Sequence, residues 1–203
     1  MPRPRAVLNH AALTSAFAPD GLHGVSTDEL ARRARVAKPT LYARGRSKDA
    51  VFLACVQAEV ERLVGRLHTA DQRTAGQPLH QRAAALAQAL LNHAARQPDA
   101  FRLLHVTASH RNSTVAADVD RALHRIPDRI AVALRRDLTA TRADDDRVIP
   151  AAHALHGAAA ALAGTVTDTT ATASMLGRAI AAAMRPPSPE PIAPRDAIEL
   201  GIY

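Results

Sequence analysis

The stretch Lys38-Pro39-Thr40-Leu41-Tyr42, followed closely by Arg44 and Lys48, gathers side chains suited to a nucleic-acid duplex. Arg and Lys can reach guanine O6 and N7 in the major groove, and Thr can contact a base or a phosphate. Lys38 and Lys48 are the only two lysines among 26 basic residues. Such groups read bases only when a short helix carries them into the groove while a preceding helix crosses the backbone. Without that scaffold the same residues are the solvated basic face of an ordinary helical bundle.

The elements needed to position them are legible. Val7 to Ala18 spaces its apolar residues as a first helix, stopped by Pro19-Asp20-Gly21. Ser26 is placed to cap a second, short helix running to about Ala34, with Glu29 three residues on, as a capping box requires. Lys38-Pro39 opens a third, since proline is tolerated in a first helical turn; it runs through Leu41 and Tyr42 and ends near Gly45. Val25, Leu30, Ala31, Val36 and Leu41 can pack the second and third helices together, leaving Lys38, Thr40, Ala43 and Arg44 outside. Ser47 caps a fourth helix whose apolar residues continue at helical spacing from Val51 to Leu67.

Charge follows the same division. Eleven basic residues face six acidic ones up to Leu67, against fifteen and thirteen in the rest of the chain. A basic first third beside a nearly neutral remainder suggests a polyanion-binding module joined to a second unit.

The region from Val7 to Leu67 resembles the TetR family of bacterial transcriptional regulators. The resemblance rests on Ala11-Ala12-Leu13, Phe17-Ala18, Asp20-Gly21, Ser26-Thr27-Asp28-Glu29-Leu30-Ala31, Val36-Ala37-Lys38-Pro39-Thr40-Leu41-Tyr42, Ser47-Lys48-Asp49 and Phe52. It implies that Thr27 contacts phosphate and that Lys38, Pro39, Thr40 and Arg44 lie along the groove. It also implies that Tyr42 and Lys48 hold phosphates. The chain departs from the family pattern at Gly45, where an aromatic residue is usual, at Arg44, often His or Tyr, and at Arg35, often Gly. In fold, the resemblance implies an all-α protein: a three-helix helix-turn-helix domain followed by a helical ligand-binding and dimerisation domain.

Composition agrees with an all-α fold, because Ala and Leu dominate and aromatic residues are 2% of the chain. The expected organisation is a DNA-binding domain at 1–46, a connecting helix at 47–68, a helical domain at 69–185 and a Pro-rich tail at 186–203. The polar stretch Thr69 to Pro78 reads as the boundary. Further helices are expected at Leu79–Arg96, from Asp99 to about His110, and from Val115 to about Thr139 with a kink or break at Pro127. The last two are expected at Pro150–Val166 and Thr172–Met184. Asp144-Asp145-Asp146 reads as a loop or an acidic helix start.

Ala154, Gly157, Ala158, Ala161 and Leu162, extended by Ala163 and Gly164, form a small-residue stripe suited to packing against a second copy. The alternative is an intrachain core helix. Phe101, Leu104, His105, Leu123 and His124 are candidates to line a mostly apolar effector cavity, though each also suits plain core. His153 and His156 share a helical face, but no further ligand stands at a matching step, so no metal and no cofactor is expected. No phosphate loop, nucleophile elbow or obvious carboxylate pair points to an enzyme. The expected function is a ligand-responsive repressor binding a palindromic or near-palindromic operator as a homodimer, with a small-molecule effector. The alternative is an architectural binder of little sequence preference. One cysteine, no signal-peptide run at Met1–Arg5 and a weakly hydrophobic Pro150–Val166 favour a cytoplasmic protein without membrane contact.

Overall fold

A computed structural model describes residues 9–41, 47–105, 113–136 and 142–185, the side chains of the last segment from Asp146 onward. Among the described residues the elements are all α-helices. They are α1 His10–Phe17, α2 Thr27–Ala34, α3 Lys38–Leu41, α4 Lys48–Arg73, α5 Leu79–Arg96, α6 Pro98–His105, α7 Ala116–Arg135, α8 Arg142–Leu162 and α9 Thr169–Ala183.

Local chemistry sets most helix starts. The Oδ1 of Asn9 accepts from Ala12 N at 3.1 Å, the Oγ of Ser26 from Glu29 N at 3.1 Å and the Oγ of Ser47 from Ala50 N at 3.1 Å. The Asp168 carboxylate accepts from Thr170 N and Ala171 N, both at 2.9 Å, and starts α9. Pro78 and Pro98 bracket α5 and fix both of its ends as expected. The capping box is half formed: the Glu29 carboxylate turns outward to Arg32 and Arg33 instead of reaching back to Ser26.

Several boundaries differ from the sequence expectation. The first helix begins at His10 because Asn9 caps it. The fourth does not stop near Leu67 but continues to Arg73, so 69–73 belong to the connecting helix. Asp71 explains this: its carboxylate is fully buried and receives Arg129 and Arg136 from the region of α7, the latter at 2.6 Å. Pro127 does not break α7, which runs continuously from Ala116 to Arg135 with Ile126, Pro127 and Ile130 buried. Their burial offsets the roughly 3 kcal/mol that an interior proline costs. The eighth helix starts at Arg142, ahead of Pro150, and ends at Leu162. Asp144-Asp145-Asp146 therefore lies in its first turns, as the second of the two alternatives expected. Gly164, at φ 84, makes the turn towards α9.

The core is continuous from head to body. Phe17 of α1 meets Phe52 of α4 edge-to-face at 5.1 Å, with Leu13, Leu22, Leu30 and Leu41 fully buried around them. Leu63 and Leu67 of α4 carry that core into Leu86, Leu90, Ile126, Ile130, Leu134 and Leu155. α5 packs most extensively on α9, and α4 on α7. The fully buried Arg82 of α5 donates its Nη2 to the Ala133 carbonyl in the last turn of α7. That carbonyl is one that the end of a helix leaves without an intrahelical donor.

Candidate nucleic-acid interface

The outward-facing surface of the head is built from the turn between α2 and α3. Leu30, Ala31, Ala34 and Leu41 are buried and clamp the two helices. Ala37, Lys38, Pro39 and Thr40 are left exposed together, and Thr27 is half-buried at the start of α2. Tyr42 and Arg44 lie outside the described residues. Lys38 forms an ion pair with Asp28 at 2.8 Å, so a base or phosphate at Lys38 has to share it with that carboxylate.

Lys48 is placed differently from a simple phosphate clamp. Its Nζ donates to the Val25 carbonyl at 2.7 Å, tying α4 to the residue that precedes the Ser26 cap. An ammonium has three donors, so the same group can hold the head together and still present an N–H to an anion. On α2, hydrogen bonds from Arg32 and then Arg33 hold the Glu29 carboxyl below the usual carboxylate range.

The turn between the two helices carries a feature with a measurable cost. Arg35 caps α2 in the left-handed conformation, at φ 55 and ψ 41, donating its N–H to Ala31 and Arg32 carbonyls. A side chain there costs roughly 1–2 kcal/mol, partly offset by the chain entropy that glycine loses on folding. Arg35→Gly is therefore expected to stabilise the protein by about 0.5–1 kcal/mol in urea unfolding. An unchanged or lowered midpoint would show that the guanidinium compensates for its backbone.

The head is joined to the body by polar contacts that run from the buried interior to the surface. Thr14 donates to the Glu59 carboxylate at 3.1 Å, and Arg62 pairs with the same oxygen at 2.9 Å. Ser15 donates to Asp99 at 2.6 Å. Thr114 reaches Asp49 at 3.2 Å through both its N–H and its hydroxyl. Cys55 is fully buried at this junction, and desolvation pushes its thiol up to about 12.

Of the expected effector residues, Phe101 and Leu104 are buried in α6, His105 is half-buried, Leu123 packs against the core and His124 is exposed. The Phe101 ring stacks on His105 at 4.1 Å and meets His93 edge-on at 6.4 Å, while His105 and His156 stand 5.4 Å apart. His105 donates Nδ1–H to the Phe101 carbonyl at 2.7 Å. Its Nε2, the Nε2 of His156 and both nitrogens of His93 are buried without a hydrogen-bond partner among the described residues. Burial lowers the pKa of all three imidazoles, His93 and His156 to about 4, so they are neutral at pH 7. Sequence reasoning did not single out His93, whose only signal is its position on the apolar face of α5. The His153/His156 pair does not converge: His153 is exposed beside His124 at 6.5 Å, whereas His156 turns to His105. Among the described residues no three His, Cys, Asp or Glu side chains come together as a metal site. Nor is any described helix long and apolar enough to cross a membrane.

A small head that exposes one short helix beside a capped partner, joined by a long helix to an α-helical body, is a helix-turn-helix architecture. The family model for bacterial regulatory proteins of the tetR family matches residues 11–55. The HTH-type transcriptional activator FasR of Mycolicibacterium smegmatis is 31% identical over 126 residues, covering 62% of this chain and 57% of FasR. The match thus spans little more than half the length of that relative. The crystal structure of a TetR-like transcriptional regulator from Rhodococcus sp. RHA1 superposes with a TM-score of 0.66 at 26% identity, over 89% of this chain and 96% of the other. The fatty acid degradation regulator FadR from Bacillus halodurans and the FadR of Bacillus subtilis, solved in complex with stearoyl-CoA, share the fold. Both have TM-scores of 0.66, at 15% and 12% identity over 87% of this chain and 97% of theirs. Residues 11–55 thus match the tetR family, and the whole described chain resembles TetR-like regulators in fold.

Proposed function

We propose that the protein is a sequence-specific DNA-binding transcriptional regulator, a ligand-responsive repressor that works as a homodimer. The observation that carries this is the exposed run Ala37 to Thr40, held rigid from beneath by buried Leu41 beside the Ser26-capped α2. Lys38 and Thr40 read base edges in this arrangement, while Thr27 and Lys48 hold phosphates. Tyr42 and Arg44 join them through the family resemblance. One such helix covers a short half-site, so two copies about 34–36 Å apart read a palindromic or near-palindromic operator.

The second copy fits the outer face of α8 and α9. Ala154, Gly157 and Ala161 are exposed, as are Ile149 and Met175 at about half of their surface. A Cβ placed at Gly157 meets nothing within 4 Å among the described residues. Gly157→Leu is therefore expected to leave the monomer folded and to shift light-scattering mass at micromolar concentration from dimer to monomer. A persistent dimer in that variant would move the interface elsewhere.

For the effector, the unpartnered imidazole nitrogens of His93, His105 and His156, set among Phe101 and Leu104, suit a ligand with a long apolar body and one polar group. Fatty-acyl compounds, the class held by the FadR of Bacillus subtilis, meet both requirements. Such a ligand lowers operator affinity if it favours another spacing of the heads.

The DNA reading is tested by titrating variants on the promoter duplex and a scrambled one at several salt concentrations. Lys48→Ala is expected to weaken both duplexes alike and to flatten the salt slope by about one unit. Lys38→Ala is expected to lose about 1–3 kcal/mol on the operator alone, and Thr40→Ala less. Equal binding of both duplexes by the parent protein would instead make it an architectural binder.

A further inference from the structure

The molecule carries a second basic surface, on the body. Between α4 and α5 lies an open groove of about 670 Å³, walled by Arg62, Arg66 and Arg73 from α4 and by Arg96 from α5. Thr69, Thr74, Gln88 and Asn92 supply its other polar groups, and no Asp or Glu lines it. Arg62 is neutralised by Glu59 at 2.9 Å, but Arg66, Arg73 and Arg96 have no carboxylate partner among the described residues. The field is felt inside the protein, where Arg66 and Arg62 add to burial in lowering the pKa of His93.

The groove exists because its floor is made of small residues: Gly65 and Ala70 on α4, Ala85 and Ala89 on α5. A Cβ at Gly65 would meet nothing within 4 Å. Short turns join antiparallel helices, so Arg96 at the end of α5 lies towards Arg62, with Arg66 further along the groove and Arg73 at its other end. Arg62 and Arg96 also share a neighbouring cleft, where Glu59 and Asp99 stand with them. Guanidiniums therefore stand along the length of the groove, with amide and hydroxyl groups between them on the walls. Guanidinium forks recognise phosphate oxygens bidentately, and collecting like charges in one cleft is unfavourable until an anion fills it.

We propose that this groove is a binding site for a phosphorylated small molecule carrying two or more linked phosphates. The phosphate chain sits at Arg62, Arg66 and Arg96, and a polar body reaches Gln88, Asn92 and Thr69. Because α4 carries the head and α5 the body, a ligand bridging them favours one setting of these two helices. The binding itself does not rest on the DNA reading and is measured without DNA.

The test is calorimetric titration of the full-length protein with sodium tripolyphosphate and, separately, with ATP at fixed ionic strength. The expected result is one site per chain, weakened about tenfold by Arg66→Ala and by Arg96→Ala. Arg121→Ala, which removes an exposed arginine paired with Asp118 on α7, leaves it unchanged. Gly65→Leu keeps every charge but fills the groove, so it abolishes binding while raising the melting temperature, because leucine is the better helix former. ATP binding more tightly than tripolyphosphate shows that the polar walls contribute; equal affinities show that the phosphate chain alone is read. Absence of binding by the parent protein overturns the proposal. So does undiminished binding by Gly65→Leu, or binding that follows Lys38 and Lys48 and thereby places the anion on the head.

Discussion

Replacing Asp71 by Ala is expected to cost about 3–5 kcal/mol, the range for removing one partner of a buried ion pair. The Asp71 side chain is fully buried and takes both Arg129 and Arg136 on a single oxygen. Arg129 is itself only 14% exposed, so its charge cannot return to water when the carboxylate goes. An acidic residue near a helix C-terminus is disfavoured by the helix dipole, which makes these two arginines the reason it is tolerated. Asp71→Leu combined with Arg129→Leu should recover much of the loss, because an apolar pair leaves less charge stranded. Urea unfolding of the single and double variants decides it: a single-variant cost under about 1 kcal/mol would mean that the pair is solvated and the α4–α7 junction rests on apolar packing alone. The junction matters functionally because α4 runs from the head at Lys48 to this contact at its far end.

The second large effect separates two glycines of the α8–α9 layer. A Cβ at Gly177 would lie inside contact distance of the His80 carbonyl oxygen and 2.7 Å from both the N and Cβ of Ala84. These are backbone and near-backbone atoms, so α9 has to move off α5 to accommodate a methyl group. Gly177→Ala is expected to cost about 1–3 kcal/mol and Gly177→Val more. Gly157→Ala, in open space, is expected to gain up to about 1 kcal/mol from helix propensity. Thermal unfolding of the two alanine variants side by side gives the contrast, and similar midpoints would mean that the α5–α9 approach is looser than described.

Features decided within a few residues were readable from the sequence. The caps at Ser26 and Ser47 and the proline-bracketed α5 depend only on neighbours along the chain, and the exposed Lys38 to Thr40 followed from helical spacing. What escaped depends on partners far away. Thr69 to Arg73 looked like a polar linker because nothing nearby announces that Asp71 is buried by residues 58 and 65 positions on. The start of α8 was missed because Pro150 imitates a first helical residue. The bond from Lys48 to the Val25 carbonyl, the intimate fit of Gly177 on His80 and the arginine groove all arise from helices meeting side by side. Among the effector candidates, His124 is exposed and Leu123 half-buried, and His93, unmarked by any motif, stands beside Phe101.

The solitary thiol has a practical consequence. Cys55 is the only cysteine, is fully enclosed and holds its proton to about pH 12. Thiolate is the form that alkylates, so the native fold should shield this sulfur from maleimides and methanethiosulfonates. A cysteine introduced at exposed Arg32 would then be the sole reactive handle on each copy, with no background to subtract and no residue to delete first. Paired nitroxides there would convert the spacing of two heads into a distance distribution. Effector and operator could be added in turn to the same labelled sample, and the change in head separation read directly.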